Sequence, residues 1–108
     1  MKNITYNYFT KLHIKIDKIV SNYVKTSGYD QTTCDETYEY YLEEKATKNQ
    51  IKQLKNNVAK LLEEDGLETH QHDNTIEVYG KSDLPYIEVH IYTIDDNDTL
   101  CIDIIFVE

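Results

Sequence analysis

Two runs rich in β-branched and aromatic residues leave this chain few folds to choose from. Pro85–Ile94 reads P-Y-I-E-V-H-I-Y-T-I, and residues 99–107 read T-L-C-I-D-I-I-F-V. Each is long enough for a strand, and the polar cluster Asp95-Asp96-Asn97-Asp98 between them is turn chemistry. The reading is a β-hairpin. A two-residue loop at Asp96-Asn97 and a four-residue loop over 95–98 give the same register. Ile87 then faces Phe106, Val89 faces Ile104, Ile91 faces Ile102 and Thr93 faces Leu100, all on one side because side chains alternate along a strand. The other side pairs Tyr86 with Val107, Glu88 with Ile105, His90 with Asp103 and Tyr92 with Cys101. A one-residue slip would turn the apolar set outward, so burial fixes the register. A lone hairpin is marginal in water, so the apolar side must pack against the rest of the chain.

The rest supplies helices first. Phe9, Leu12, Ile16, Ile19, Val20 and Tyr23 recur in steps of three and four and predict an amphipathic helix over about 5–26, with Lys11, Lys15, Lys18 and Lys25 outside. Residues 26–33 read as a turn-rich break, with Gly28 a helix stop. A short acidic helix is expected from Glu36 to about Lys45, with Tyr38, Tyr41 and Leu42 inward. Thr47 and Gln50 fit a capping box for a further helix carrying Ile51, Leu54, Val58, Leu61 and Leu62, with Lys45, Lys48, Lys52 and Lys55 as a second basic stripe. Gly66 reads as its C-terminal stop. Residues 67–72 and Thr75–Tyr79 predict two strands around Asp73-Asn74, pairing Gln71 with Ile76, Thr69 with Val78 and His70 with Glu77. Residues 80–85 link to the main hairpin.

The expected architecture is a single α+β domain over residues 1–108. Two to three N-terminal helices (about 5–65) pack on one face of a four-stranded antiparallel β-meander (about 67–107).

Charge is divided unevenly along the chain. Residues 1–60 hold ten lysines against seven acids, and residues 61–108 hold one lysine against thirteen, for a formal net charge of −9. Arginine is absent, which removes the side chain best suited to reading bases and gripping phosphates. Direct nucleic-acid binding is therefore not expected, and the lysine stripes read as solvated helix faces. The bias toward Lys, Asn, Ile and Tyr is that of an AT-rich coding sequence, as in low-GC Gram-positive bacteria and their phages and plasmids. No apolar run resembles a signal peptide or a membrane span, so a cytoplasmic location in a bacterial host is expected. Cys34 and Cys101 lack metal spacing and read as reduced thiols.

Chemical signatures are thin. His70, His72 and His90 invite a metal site, but an intervening strand separates His90 from the other two by about 10 Å, too far for one zinc. Cys101, His90 and Asp103 invite a nucleophile arrangement, but nothing supplies an oxyanion hole or pocket. No catalytic, metal or cofactor site is assigned, and an enzyme is not expected.

The acidic residues carry the functional expectation. Glu68, Glu77, Glu88 and Asp103 project from the outer sheet face, and Asp95, Asp96 and Asp98 crowd a turn. Tyr79, Tyr86 and Tyr92 lie among them. Acids spaced on a twisted sheet stand in for phosphates, and tyrosine supplies stiff contact area at protein interfaces. In size, acidic sheet, tyrosine abundance and lack of Arg, the chain resembles the small anti-CRISPR and anti-restriction inhibitors of phages and mobile elements. The resemblance implies a stoichiometric inhibitor of a basic nucleic-acid-binding protein, a Cas effector or another defence enzyme, with no residue roles carried over. The alternative is an interaction module, such as an immunity protein or a dimeric accessory protein, using the open edge of the last strand.

Overall fold

In the computed structural model, residues 6–31, 37–79 and 85–106 are described. The elements are α1 (Tyr6–Tyr23), β1 (Thr26–Gln31), β2 (Thr37–Leu42), α2 (Lys48–Glu64), β3 (Glu68–His72), β4 (Thr75–Tyr79), β5 (Pro85–Ile94) and β6 (Thr99–Phe106). The class is α+β, and the described helices are two. All strand pairings are antiparallel, in a six-stranded sheet ordered β1-β2-β6-β5-β4-β3.

The two predicted hairpins are present in the expected registers. Ile87 faces Phe106, Val89 faces Ile104, Ile91 faces Ile102, and Thr93 faces Leu100. Gln71 faces Ile76 and Thr69 faces Val78. The β5–β6 loop is the four-residue form, with Asp95, Asp96 and Asn97 at positive φ of 54°, 58° and 68°. Asp and Asn tolerate that conformation better than other non-glycine residues. The pairing expected for Tyr86 with Val107 lies outside the described residues.

The four-stranded meander is corrected to six strands, and the third helix is lost. Residues 26–31, read as a turn-rich break, form β1. The expected acidic helix beginning at Glu36 is the strand β2. The cause is visible in burial: Tyr38 and Tyr40 are buried while Thr37 and Glu39 are half-exposed, a period of two rather than 3.6. Without β2, the long apolar strand β6 would sit at an open edge, a template for aggregation. With it, β6 is interior, bonded to β2 on one side and β5 on the other. The open edges are therefore β1 and β3, not the last strand as expected.

Helix α2 begins and ends as its sequence dictates. Thr47 Oγ1 accepts from the Gln50 amide at 3.1 Å, and Gln50 Oε1 accepts from the Thr47 amide at 2.8 Å. At the other end Gly66 takes φ of +86°. Its amide donates to Glu63 O at 3.0 Å and that of Leu67 donates to Leu62 O at 3.1 Å. That is a Schellman closure, with glycine where a left-handed residue is needed. Lys45 precedes the helix and lies outside the stripe of Lys48, Lys52 and Lys55.

Both helices bury one stripe against the same sheet face. Leu12, Ile16 and Val20 from α1 and Leu54, Val58 and Leu62 from α2 meet Tyr40, Ile76, Val78, Ile87, Val89, Ile91, Leu100, Ile102 and Ile104 in one core cluster. Lys15 closes the rim of the helix layer with an ion pair to Asp65 at 3.2 Å. Above β1 and β2, His13 stacks on Tyr38 with ring centroids 3.5 Å apart, and its Nε2 lies 3.2 Å from the Tyr40 hydroxyl. Burial lowers the His13 pKa, with Asp17 opposing, and pushes the Tyr40 hydroxyl far up. No helix among the described residues is long and apolar enough to cross a membrane.

Candidate functional site: the open sheet face

Strand alternation sorts side chains to the helix-covered face or the open one, and the sorting is complete for charge. The strands contain Asp30, Glu39, Glu68, Glu77, Glu88 and Asp103, and no lysine. By register, all six carboxylates project from the open face. The described lysines lie on the helices and loops. The open face is thus acidic, while the helix layer carries lysines together with Asp17, Glu63 and Glu64.

Partners on this face orient the carboxylates without cancelling them. The Tyr41 hydroxyl donates to Asp30 Oδ2 at 2.6 Å, Tyr92 donates to Asp103 Oδ2 at 3.1 Å, and Tyr79 makes a longer 3.5 Å contact to Glu77 Oε1. His72 Nε2 lies 2.6 Å from Glu77 Oε1, His90 Nε2 lies 3.0 Å from Glu88 Oε1, and His70 Nε2 lies 3.5 Å from Glu68 Oε2. Among the described residues of this face, histidine is the only type able to carry positive charge. Glu77 also sits directly opposite Glu88 across β4 and β5, where like charges oppose strand pairing.

The tyrosines hold their protons tightly. The Asp30 hydrogen bond pushes Tyr41 up to about 12, and burial assisted by Asp103 does the same for Tyr92. Burial also raises Tyr79. Cys101, 2% exposed on this side, is pushed up to about 11 by burial and by Glu39 and Asp103. A thiol so placed stays protonated at neutral pH and is not a poised nucleophile. Asp103 Oδ1 is buried with no hydrogen-bond partner.

At one end of the face the surface turns apolar. Thr99 pairs with Tyr41 on β2 and with Ile94 on β5. Thr99 is 5% exposed, while Tyr41 and Ile94 are 39% and 38% exposed. Asp95, Asp96 and Asp98 lie in the exposed turn just beyond Ile94, where Asp96 pairs with Lys45.

Of the ten predicted contact residues, Glu68, Glu77, Tyr79, Glu88, Tyr92 and Asp103 share the open face, and the three turn acids border it. Tyr86 lies in β5, but its side chain is outside the described residues. The sequence reading missed Asp30, Glu39 and Tyr41 because it placed them in a break and a helix. The signal was present in the alternation Thr37-Tyr38-Glu39-Tyr40. It also missed Ile94, which it read as the last strand position before the turn.

His90 and Asp103 do face each other, as do Tyr92 and Cys101. Among the described residues no group of three His, Cys, Asp or Glu side chains is close enough to hold a metal ion. Comparison with protein-family models, curated proteins and solved structures gives no match.

Proposed function

We propose that the chain is a small non-enzymatic inhibitor, working in the cytoplasm of a bacterial host. Its open sheet face occupies the nucleic-acid-binding surface of a basic nucleic-acid-processing protein, with a CRISPR–Cas effector as the first candidate. One observation carries the reading: every described strand carboxylate faces the same open side, no described strand holds a lysine, and Glu77 opposes Glu88 at a cost to the sheet. Proteins keep such locally unfavourable arrangements where function requires them. A rigid sheet holding acids on adjacent strands, about 5 Å apart, presents a pre-ordered negative surface to a basic groove. Tyr41, Tyr92 and Ile94 supply the anchoring contact area that charge alone lacks.

The test is inhibition of guide-RNA and target-DNA binding by purified Cas effectors from low-GC Gram-positive bacteria. The wild-type chain should block binding at near-equimolar ratio, and the variant Glu77→Lys, Glu88→Lys, Asp95→Lys, Asp96→Lys, Asp98→Lys should not. Equal inhibition by both proteins would end the mimicry reading.

A second reading rests on the β1 edge, which among the described residues has no strand beside it along Thr26–Gln31 and carries Tyr29 at 48% exposure. An interaction module would extend its sheet there, onto a partner or a second copy. Light scattering after size exclusion separates the two: a tight homodimer favours the edge and a monomer favours the face.

A further inference from the structure

A cleft of about 450 Å³ lies between the first turns of α2 and the two hairpin turns, and of the open-face residues only Tyr92 lines it. Its floor is apolar: the half-buried Ile51 and the buried Ala46 close over the fully buried Ile91. Its walls are tied in place. The Ala46 amide donates to Asn97 O at 3.2 Å, the Ile91 amide donates to Asn74 O at 2.8 Å, and Lys55 Nζ donates to Asp73 O at 2.5 Å.

Lys48 and Lys52 stand at the rim one helical turn apart, both exposed. Among the described residues neither has a carboxylate partner, in a chain of net charge −9. Lys48 is the first residue of α2, whose first turn contains no acid. A cation there opposes the helix macrodipole. An anion seated between Lys48 and Lys52 offsets that repulsion, and the Asp96 carboxylate beside the lining residue Asn97 is itself paired with Lys45.

We propose that this cleft binds a small organic anion, its apolar ring or chain against Ile51 and its charged group between Lys48 and Lys52. Size and lining fit a small-molecule pocket, an apolar floor with a few convergent polar groups. None of the six strand carboxylates lines the cleft, while the Asp95–Asp98 turn borders it through Asn97.

The test is amide chemical-shift titration of the intact chain with 2-naphthoate and with its neutral analogue 2-naphthamide. Saturable shifts confined to Ile51, Ile91, Thr93 and the first turns of α2 are expected, with a dissociation constant on the order of 1 mM or tighter. The neutral analogue and the double variant Lys48→Glu, Lys52→Glu should each weaken binding about tenfold or more, while Lys48→Arg, Lys52→Arg keeps it. The Lys48→Glu change places an acid in the first helical turn, so the fold tolerates it, and an unchanged melting midpoint verifies this. No saturable shift, or equal binding of naphthoate, naphthamide and the charge-reversed variant, would overturn the proposal.

Discussion

Across the β5–β6 hairpin, Tyr92 donates its hydroxyl hydrogen bond to Asp103 Oδ2 at 3.1 Å, and the other carboxylate oxygen, Oδ1, is buried without a hydrogen-bond partner. A buried unpaired oxygen on a charged group costs about 1–3 kcal/mol. Asp103→Asn keeps an acceptor for Tyr92 and removes the charge. It should raise stability in urea by about 0.5–1 kcal/mol while weakening partner binding. A loss of stability would mean that the unpartnered amide NH2 set in place of Oδ1 costs more than removal of the charge gains.

The Glu77–Glu88 pair makes a second, separable claim. Glu77→Gln and Glu88→Gln should each stabilise the fold by about 0.2–1 kcal/mol, because each alone relieves the repulsion. The double variant should then gain less than the sum of the two. A double-mutant cycle read by urea denaturation gives the coupling, and strict additivity would remove the pair from the argument.

Alkaline pH should destabilise the protein, with Cys101 and Tyr92 of the open face contributing alongside the buried Tyr40 hydroxyl. The Cys101 thiol is raised to about 11 from 9.0 and Tyr92 to about 12 from 10.0, so the folded state holds protons that the unfolded chain releases. Their stabilising contribution is complete below pH 9.0 and is lost as pH rises through 11 to 12. In a Cys34→Ser background, iodoacetamide at pH 8 should alkylate Cys101 far more slowly in native than in unfolded protein.

On the acid side the relevant group is His13. Burial lowers its pKa from 6.5, so the folded state binds fewer protons than the unfolded chain. Its contribution is full above 6.5 and declines as pH falls from there toward the lowered folded value. The stability difference between wild type and His13→Phe, measured at pH 7.5 and again at lower pH, isolates this dependence from that of the surface histidines. A difference that does not change with pH would contradict the account.

Packing sets the larger energies. Ile102 is fully buried at the centre of the sheet, so Ile102→Ala should cost about 2–5 kcal/mol. Thr47→Ala removes the side-chain arm of the capping box, leaving the backbone amide's bond to Gln50 Oε1, and should cost about 1 kcal/mol. Thermal or urea denaturation reads both.

The parts of the fold legible in the sequence are those where local pattern and burial agree. Ile87, Val89 and Ile91 against Ile104 and Ile102 admit one register, and Thr47 with Gln50 announces a helix start whatever the surroundings. β1 and β2 were not legible for a physical reason. Each has six residues, β1 contains Ser27 and Gly28 at a bulge, and Tyr38, Tyr41 and Leu42 satisfy helical spacing as well as a strand does. What decides for the strand is β6, some 60 residues away, whose edge Tyr38 and Tyr40 cover. The acidic half of the face was legible from Glu77, Glu88 and Asp103. Its extension through Glu39 and Asp30, and the apolar end at Tyr41 and Ile94, depended on that distant pairing.

The measurement that bears most directly on the mimicry account is a tagged pull-down from a low-GC Gram-positive lysate expressing a CRISPR system. Wild type and the five-site charge-reversed variant are compared at low and moderate salt, with and without competing DNA or guide RNA, and bound proteins are identified by mass spectrometry. The account predicts that wild type retains a basic nucleic-acid-binding protein, that salt and nucleic acid release it, and that the variant fails to capture it. Capture that charge reversal and competing nucleic acid leave unchanged would contradict the account.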